Sequence, residues 1–242
     1  MLTKSDANPR LSVLKIAVAL SFLFGLLAYD HGMALKHAAI DVPVAQAATT
    51  TPADTAVFSG GCFWGVDAVF KHVKGVEQVT SGYSGGNADT ANYETVSTGT
   101  TGHAESVQVV YDPAQISYDQ LLKIFFNVAH DPTELNRQGP DEGTQYRSVV
   151  FYANDQQKKE AEQYISEADK KNTFGAPIVT QVVPLKHFYP AEAYHQNYFE
   201  MHPKNPYIVF NDWPKVNALH DKYPELYKFN VQVAGSGAAT EN

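Results

Sequence analysis

Cysteine is nearly absent from this sequence, since its 242 residues include only Cys62. One thiol excludes an internal disulfide framework, a CxxC redox pair and a zinc site built from several thiolates. Positive charge is also scarce, because 18 Lys and Arg stand against 26 Asp and Glu and leave a formal net charge of −8. No basic run is long enough to neutralise phosphates, so we expect no nucleic-acid partner.

The apolar run near the N-terminus is too short for a typical membrane-spanning helix. It covers residues 16–28 and follows Lys4, Arg10 and Lys15, whereas a spanning helix needs about 20 apolar residues. This pattern predicts a secretory signal peptide or an uncleaved membrane anchor over residues 1–47. We therefore expect an exported protein, periplasmic or otherwise extracytoplasmic, that meets a membrane only through this segment.

The rest of the chain divides into a linker, one domain and a tail. Residues 48–54 have a Thr/Pro/Ala composition and residues 231–242 a Gly/Ala/Ser composition, which predicts disorder at both ends. Residues 55–230 are enough for one sizeable core and form one predicted domain.

Hydrophobic periodicity in the domain predicts strands that alternate with helices. The strands are predicted at 55–59, 76–83, 104–111, 147–152 and 178–185, and the helices at 63–73, after a capping box at Ser117 and Gln120, at 156–171 and at 191–201. This order favours a two-layer α/β sandwich, in which a mixed sheet carries helices mainly on one face.

Cys62 follows two glycines and opens the first predicted helix. Unpaired backbone N–H groups and the helix dipole stabilise an anion there and lower the pKa of a thiol. The sequence therefore predicts a thiolate nucleophile at Cys62. The adjacent Phe63 and Trp64 fit either the core or a cage for a small apolar group such as a methyl.

Two long polar loops, residues 84–102 and 129–145, precede further candidates. Long loops in compact domains are often functional. Glu105 lies just after the first loop, Asp141 lies within the second, and Tyr146 follows it directly. A thiolate that displaces oxygen needs an acid, and these loops offer one.

Five runs of residues, in this order, resemble the peptide methionine sulfoxide reductase A family. They are GGCFWG at 60–65, GYSGG at 82–86, TGHAESVQVVYDP at 101–113, HDPTELNRQGPDEGTQYRS at 130–148 and FYPAEAYHQNY at 188–198. The resemblance extends from about Val57 to Tyr207. It implies a two-layer α/β sandwich of the ferredoxin-like plait type and the reduction of methionine S-sulfoxide in peptides or proteins, with the free amino acid as a further candidate substrate.

The resemblance also implies four catalytic residues. Cys62 matches the nucleophile, and Glu105 matches the carboxylic acid that protonates the sulfoxide oxygen. Tyr93 and Tyr146 match phenols that help to hold that oxygen. Glu105 must be protonated for this role, and we expect an apolar neighbourhood to raise its pKa by desolvation.

Three further positions match the substrate pocket of the family. Phe63 and Trp64 match the pocket for the sulfoxide methyl group, and Asp141 matches a polar residue that lines the site. His195 is expected to support these residues without contacting the substrate. Ala193 stands where the family often has an acidic residue, so His195 lacks that partner. Histidine spacing gives no metal-ligand pattern, so we expect no bound metal.

The single cysteine departs from many members of the family, which carry resolving cysteines. Attack by Cys62 would leave a sulfenic acid that only an external thiol can reduce. We expect that thiol to be a small molecule or a thioredoxin- or glutaredoxin-like protein, with no bound cofactor and a monomeric enzyme.

Two other functions stay open at the level of the residues. A cysteine hydrolase or acyltransferase would use His103, His130 or His195 as the base that activates Cys62. A non-catalytic binding module would keep the fold without the chemistry.

Overall fold

The computed structural model describes residues 53–229 and residue 231. The predicted export segment at 1–47, most of the linker and most of the tail lie outside the described residues. Within the described part of the chain, no helix has the length and apolar character needed to cross a membrane.

Six strands form the main sheet in the spatial order β7-β6-β1-β3-β2-β8. Their neighbours pair antiparallel except for β6 and β7, which run parallel, so the sheet is mixed as predicted. The strands are β1 (Asp54–Ser59), β2 (Val76–Ser84), β3 (Ala104–Tyr111), β6 (Val149–Tyr152), β7 (Gln181–Pro184) and β8 (Phe188–Pro190). A separate short hairpin joins β4 (Arg137–Gln138) to β5 (Asp141–Glu142).

Side-chain caps mark the starts of two of the longer predicted helices. Ser117 and Gln120 form the predicted capping box at the start of α3, and the Asn154 side chain accepts a hydrogen bond from the Gln157 amide at the start of α4. The α-helices are α1 (Phe63–Lys71), α2 (Tyr93–Val96), α3 (Tyr118–Ile124), α4 (Asp155–Lys170), α5 (Tyr198–Met201) and α6 (Trp213–Lys222).

The core lies on both faces of the sheet because side chains alternate along each strand. On β1, Ala56 and Phe58 join the main core with α1 and α3, whereas Val57 joins a smaller cluster on the other face. The Phe58 ring stacks at 5.3 Å on Phe70 and at 4.8 Å on Phe125, measured between centroids. This packing fixes β1 against α1, the two elements that flank Cys62.

The last third of the chain differs from its prediction. The single helix predicted at 191–201 is wrong, because residues 193–195 form a 3₁₀ turn and only α5 is α-helical. Asn197 has a φ of 56°, a left-handed conformation that interrupts a right-handed helix. Helix α6 was not predicted, although Pro214 lies in its first turn, where proline is favourable.

Candidate active site

The turn between β1 and α1 presents Cys62 at the start of the helix. Gly61 has a φ of 89°, and a Cβ at this position would lie 2.6 Å from the Gln138 side chain, so only glycine fits. The Gly61 amide donates a 3.1 Å hydrogen bond to the Tyr146 carbonyl. The turn therefore brings Cys62 to the N-terminus of α1 and ties it to the segment that carries Tyr146.

Cys62 is 8% exposed. Burial raises the pKa of its thiol well above the usual range, and the nearby Glu105 and Asp212 carboxylates raise it further, while the Trp64 backbone amide lowers it. The prediction of a resting thiolate is therefore wrong: the helix start favours the anion, but the cost of burying the charge outweighs it.

Glu105 lies on β3 and is 2% exposed. Its Oε2 accepts a 3.0 Å hydrogen bond from the Phe63 amide, and its carboxyl is also within hydrogen-bonding reach of the Cys62 thiol. Burial is the main cause that raises the pKa of Glu105 to about 8. The carboxyl is thus mainly protonated at neutral pH, as its predicted role requires.

Tyr93 and Tyr146 lie near this carboxyl. Burial and then the Glu105 charge raise the pKa of both phenols, which keeps them protonated at neutral pH. Glu192 holds the Tyr93 segment, because its Oε1 accepts a 2.8 Å hydrogen bond from the Tyr93 amide. Its other carboxylate oxygen accepts a 2.8 Å hydrogen bond from the Tyr83 hydroxyl, which anchors the loop to β2.

Aromatic side chains form a wall around Phe63 and Trp64. The Trp64 ring stacks on Tyr198 with a centroid distance of 3.7 Å and an angle of 6°, and Tyr207 packs edge-on against it at 5.9 Å. The Trp64 indole N–H donates a 3.2 Å hydrogen bond to His195 Nδ1. His195 therefore contacts Trp64 directly, and its supporting role stays a prediction.

Asp141 lies half-buried at β5 and accepts a 2.5 Å hydrogen bond from the Tyr207 hydroxyl. Burial raises the pKa of its carboxyl, while the hydrogen bond lowers it. The fold therefore brings every predicted site residue into one cluster around Cys62.

Two of the three histidines considered as bases for a hydrolase, His103 and His130, are engaged elsewhere. His103 uses its ring nitrogens with the Gly86 amide and the Asn87 carbonyl. His130 contacts the Phe125 carbonyl and the Ser148 hydroxyl, and burial lowers its pKa to about 4. Among the described residues, no group of His, Cys, Asp and Glu side chains is arranged to hold a metal ion.

Four neighbours of the site were not predicted. Tyr198 is the last residue of the run at 188–198. Its place in that run was the only signal in the sequence that it lies near the site. Glu192 lies in the same run and was overlooked. Tyr207 and Asp212 lie beyond the last predicted helix, and no predicted element there placed them near Cys62.

A family model described as "peptide methionine sulfoxide reductase" matches residues 54–226. A "peptide methionine sulfoxide reductase MsrA 2" of Mesorhizobium japonicum is 58% identical over 174 residues, which cover 72% of this chain and 89% of the relative. A protein of the same name from Synechocystis is 49% identical over 186 residues, which cover 77% of this chain and 86% of the relative.

Two solved structures are also similar to this chain. Reduced Mxr1 from Saccharomyces cerevisiae superposes with a TM-score of 0.60 at 35% identity, covering 63% of this chain and 87% of the yeast chain. Methionine sulfoxide reductase A of Corynebacterium diphtheriae superposes with the same TM-score of 0.60 at 35% identity. The match covers 63% of this chain and 76% of the Corynebacterium chain.

Proposed function

The chain belongs to the peptide methionine sulfoxide reductase A family, and from that membership we propose that Cys62 attacks the sulfoxide sulfur while Glu105 protonates its oxygen. The protein is an oxidoreductase that reduces methionine sulfoxide. What remains to be assigned is the part that each residue takes, the stereochemistry and the source of electrons.

One observation carries the mechanism: Glu105 is a buried carboxyl within reach of the Cys62 thiol, and burial raises its pKa to about 8. A sulfoxide oxygen is a poor leaving group until it is protonated, so an acid that keeps its proton at neutral pH is needed beside the nucleophile. The Phe63 amide, which contacts Oε2, stabilises the carboxylate that forms when the proton leaves.

The proposed step balances within the site. Cys62 and Glu105 titrate as a coupled pair, and the reactive form carries one proton on the carboxyl and none on the sulfur. Cys62 attacks the sulfoxide sulfur as Glu105 gives that proton to its oxygen, so an S–S bond forms transiently. The oxygen then passes to Cys62: the S–S bond and the substrate S–O bond break, and an S–O bond forms at Cys62. Methionine sulfur is reduced by two electrons, and Cys62 is oxidised to the sulfenic acid.

Phe63 and Trp64 would enclose the substrate methyl group, since a thioether methyl packs well against aromatic faces. The Tyr93 and Tyr146 hydroxyls would donate hydrogen bonds to the sulfoxide oxygen, and Asp141 would contact the polar part of the substrate. These fixed contacts on three substituents of a chiral sulfur would select one epimer, which we propose to be the S epimer.

An external thiol would complete the cycle, because the sequence has no second cysteine. The first thiol attacks the sulfenic acid, forms a mixed disulfide and releases water, and the second regenerates Cys62 as the thiol. A small thiol and a thioredoxin- or glutaredoxin-like protein both supply this chemistry. The chain itself would need no bound cofactor.

Export of the enzyme also stays a proposal. It rests on the basic residues and the apolar run within residues 1–47. Fractionation of cells, followed by intact-mass measurement of the native protein, tests it: a mature chain that begins after Ala47 supports cleavage, the full mass in the membrane fraction supports an anchor, and the full mass in the cytosol contradicts export.

The proposed function is tested with a peptide that contains methionine sulfoxide as the separated S and R epimers, with dithiothreitol as reductant. We expect methionine from the S epimer only, and none from either epimer with Cys62→Ser. Turnover of the R epimer would overturn the stereochemical assignment. Ester hydrolysis without sulfoxide reduction would favour the hydrolase.

A further inference from the structure

A buried ion pair lies beside the first turn of α1, outside the residues that the mechanism uses. The Asp212 side chain has no exposed surface, and neither of its carboxylate oxygens has a hydrogen-bond partner within the described residues. Among the residues that the structure describes, the cation in contact with it is Lys215, whose Nζ lies 3.6 Å from Oδ1. A buried carboxylate with so little compensation is costly, so its presence requires an explanation.

Gly65 shows where this pair lies relative to the nucleophile. It is the third residue of α1, and a Cβ at this position would overlap the Asp212 carboxylate and come within 2.8 Å of Lys215 Nζ. The carboxylate therefore sits against the turn whose free amide groups would otherwise stabilise a thiolate at Cys62.

Two anions at one helix start oppose each other, and in a buried site this repulsion is weakly screened. We propose that Asp212, held in place by Lys215, is a positioning residue that keeps Cys62 in the less reactive thiol form when no substrate is bound. This inference rests on the proposed function of Cys62 as the nucleophile.

Other titratable groups also face Cys62. They are Glu105, Asp141, Tyr93, Tyr146 and Tyr207. Each of them belongs to the proposed substrate pocket or contacts one of its residues, so a change at any of them alters the catalytic machinery as well. Within the described residues, the Asp212 carboxylate makes no hydrogen bond to any residue of that pocket, so its charge can be removed while the hydrogen bonds of the pocket stay in place.

Keeping Cys62 in the thiol form at rest would limit its oxidation in an enzyme with one cysteine. Its sulfenic acid must wait for an external thiol, and further oxidation to the sulfinic acid is irreversible in most proteins. Because the thiolate is the form that oxidants attack, a thiol that stays protonated at rest is protected from oxidation.

The full-length chain is suited to a direct test, because iodoacetamide can alkylate only one thiol. The rate of alkylation is measured against pH for the wild type and for Asp212→Asn, which removes the charge and keeps the shape. We expect the midpoint to fall by about one pH unit and the rate at neutral pH to rise by up to about tenfold. Asp221→Asn, an exposed change on α6, the helix that begins directly after Asp212, is the control and should not shift the midpoint.

The double variant Asp212→Asn with Lys215→Met removes the pair as a unit and keeps the test valid if the single variant fails to fold. Its midpoint should also fall, by less than that of the single variant. A midpoint equal to that of the wild type in a folded variant would overturn the proposal. Alkylation needs no sulfoxide, so this outcome is independent of the epimer assay and distinguishes failure of the inference from failure of the proposed function.

Discussion

Glu105 carries a carboxyl where a charge is least favourable, buried on β3 with the Phe63 amide and the Cys62 thiol as its polar neighbours. The same burial that weakens the fold when the group ionises keeps the proton that the sulfoxide needs. Catalysis and stability therefore make opposite demands on this one residue, and both demands can be measured.

Replacement of Glu105 by Gln should slow sulfenic acid formation by about 10²–10⁴-fold, because the amide keeps the hydrogen bond from the Phe63 amide but has no acidic proton. The measurement is single-turnover release of methionine, with the exposed Glu77→Gln as the matched control on β2. A rate within a few-fold of the wild type would remove Glu105 from the acid role.

The same variant should be more stable than the wild type at alkaline pH. The pKa of Glu105 is raised from 4.5 to about 8 in the folded state, so the folded protein binds more protons than the unfolded chain in that interval. Stability contributed by the protonated carboxyl is therefore present at low pH and is lost as pH rises through about 8.

Thermal unfolding of both proteins across this range is the check. The difference in Tm between Glu105→Gln and the wild type should grow in favour of the variant from about pH 5 to about pH 8.5, and other titrating groups cancel in the difference. A constant difference would mean that Glu105 ionises normally.

At the scale of elements, the unit formed by β1, the Gly60–Gly61 turn and α1 brings the nucleophile to the site. Phe58 and Phe70 fix the strand against the helix on one side of the turn, and the Gly61 amide binds the Tyr146 carbonyl on the other. The turn admits only glycine because its backbone is left-handed and Gln138 lies against it.

Gly61→Ala should therefore cost more stability than Gly175→Ala. Both positions have positive φ, but a Cβ at Gly175 meets no atom within 4 Å, whereas one at Gly61 meets Gln138. We expect a cost of about 1–2 kcal/mol from φ in both variants and about 1–3 kcal/mol more at Gly61 from the overlap. Urea unfolding measures the difference, and equal costs would contradict the close approach of Gln138.

The sequence predicted elements that depend on local signals and missed elements that depend on contacts far away in the chain. The capping box at Ser117 is formed as predicted, and the helix predicted at 156–171 is formed behind the Asn154 cap, because both caps depend on residues close in sequence. The helix predicted at 191–201 fails at Asn197, and β8 was missed because its three residues are stabilised by pairing with β2, far away in the chain. A periodicity within one segment cannot show such pairing.

The same division holds for the site. Cys62, Phe63 and Trp64 follow one another and were recognised from a local run, and the family resemblance supplied Glu105, Tyr93, Tyr146 and Asp141. The resting state of the thiol was predicted wrongly, because the helix start can be seen in the sequence but burial and the Asp212 carboxylate cannot. Long-range electrostatics requires the fold.

At the scale of the whole molecule, one thiol in 242 residues makes the enzyme dependent on a second molecule for each turnover. Cys62 has no intramolecular partner, so the sulfenic acid should persist when thiol is withheld. Its lifetime is then a property of the surrounding solution rather than of the chain.

We expect the rate at which the sulfenic acid disappears to rise in proportion to thiol concentration at low thiol and to extrapolate to about zero without it. Stopped-flow reduction of the oxidised enzyme measures this rate, and intact mass should reveal a mixed disulfide with the added thiol. A finite intercept under anaerobic conditions would require a resolving group within the chain.

The central claim is that oxygen passes from the sulfoxide to Cys62, and one anaerobic measurement addresses it directly. The reduced enzyme is mixed with excess methionine S-sulfoxide in a peptide and without thiol, and the reduced peptide and the mass of the chain are measured together. We predict one reduced peptide per chain and one added oxygen, located at Cys62 by a sulfenic acid probe. Reduced peptide without oxygen at Cys62, or oxygen at Cys62 without reduced peptide, would contradict the account.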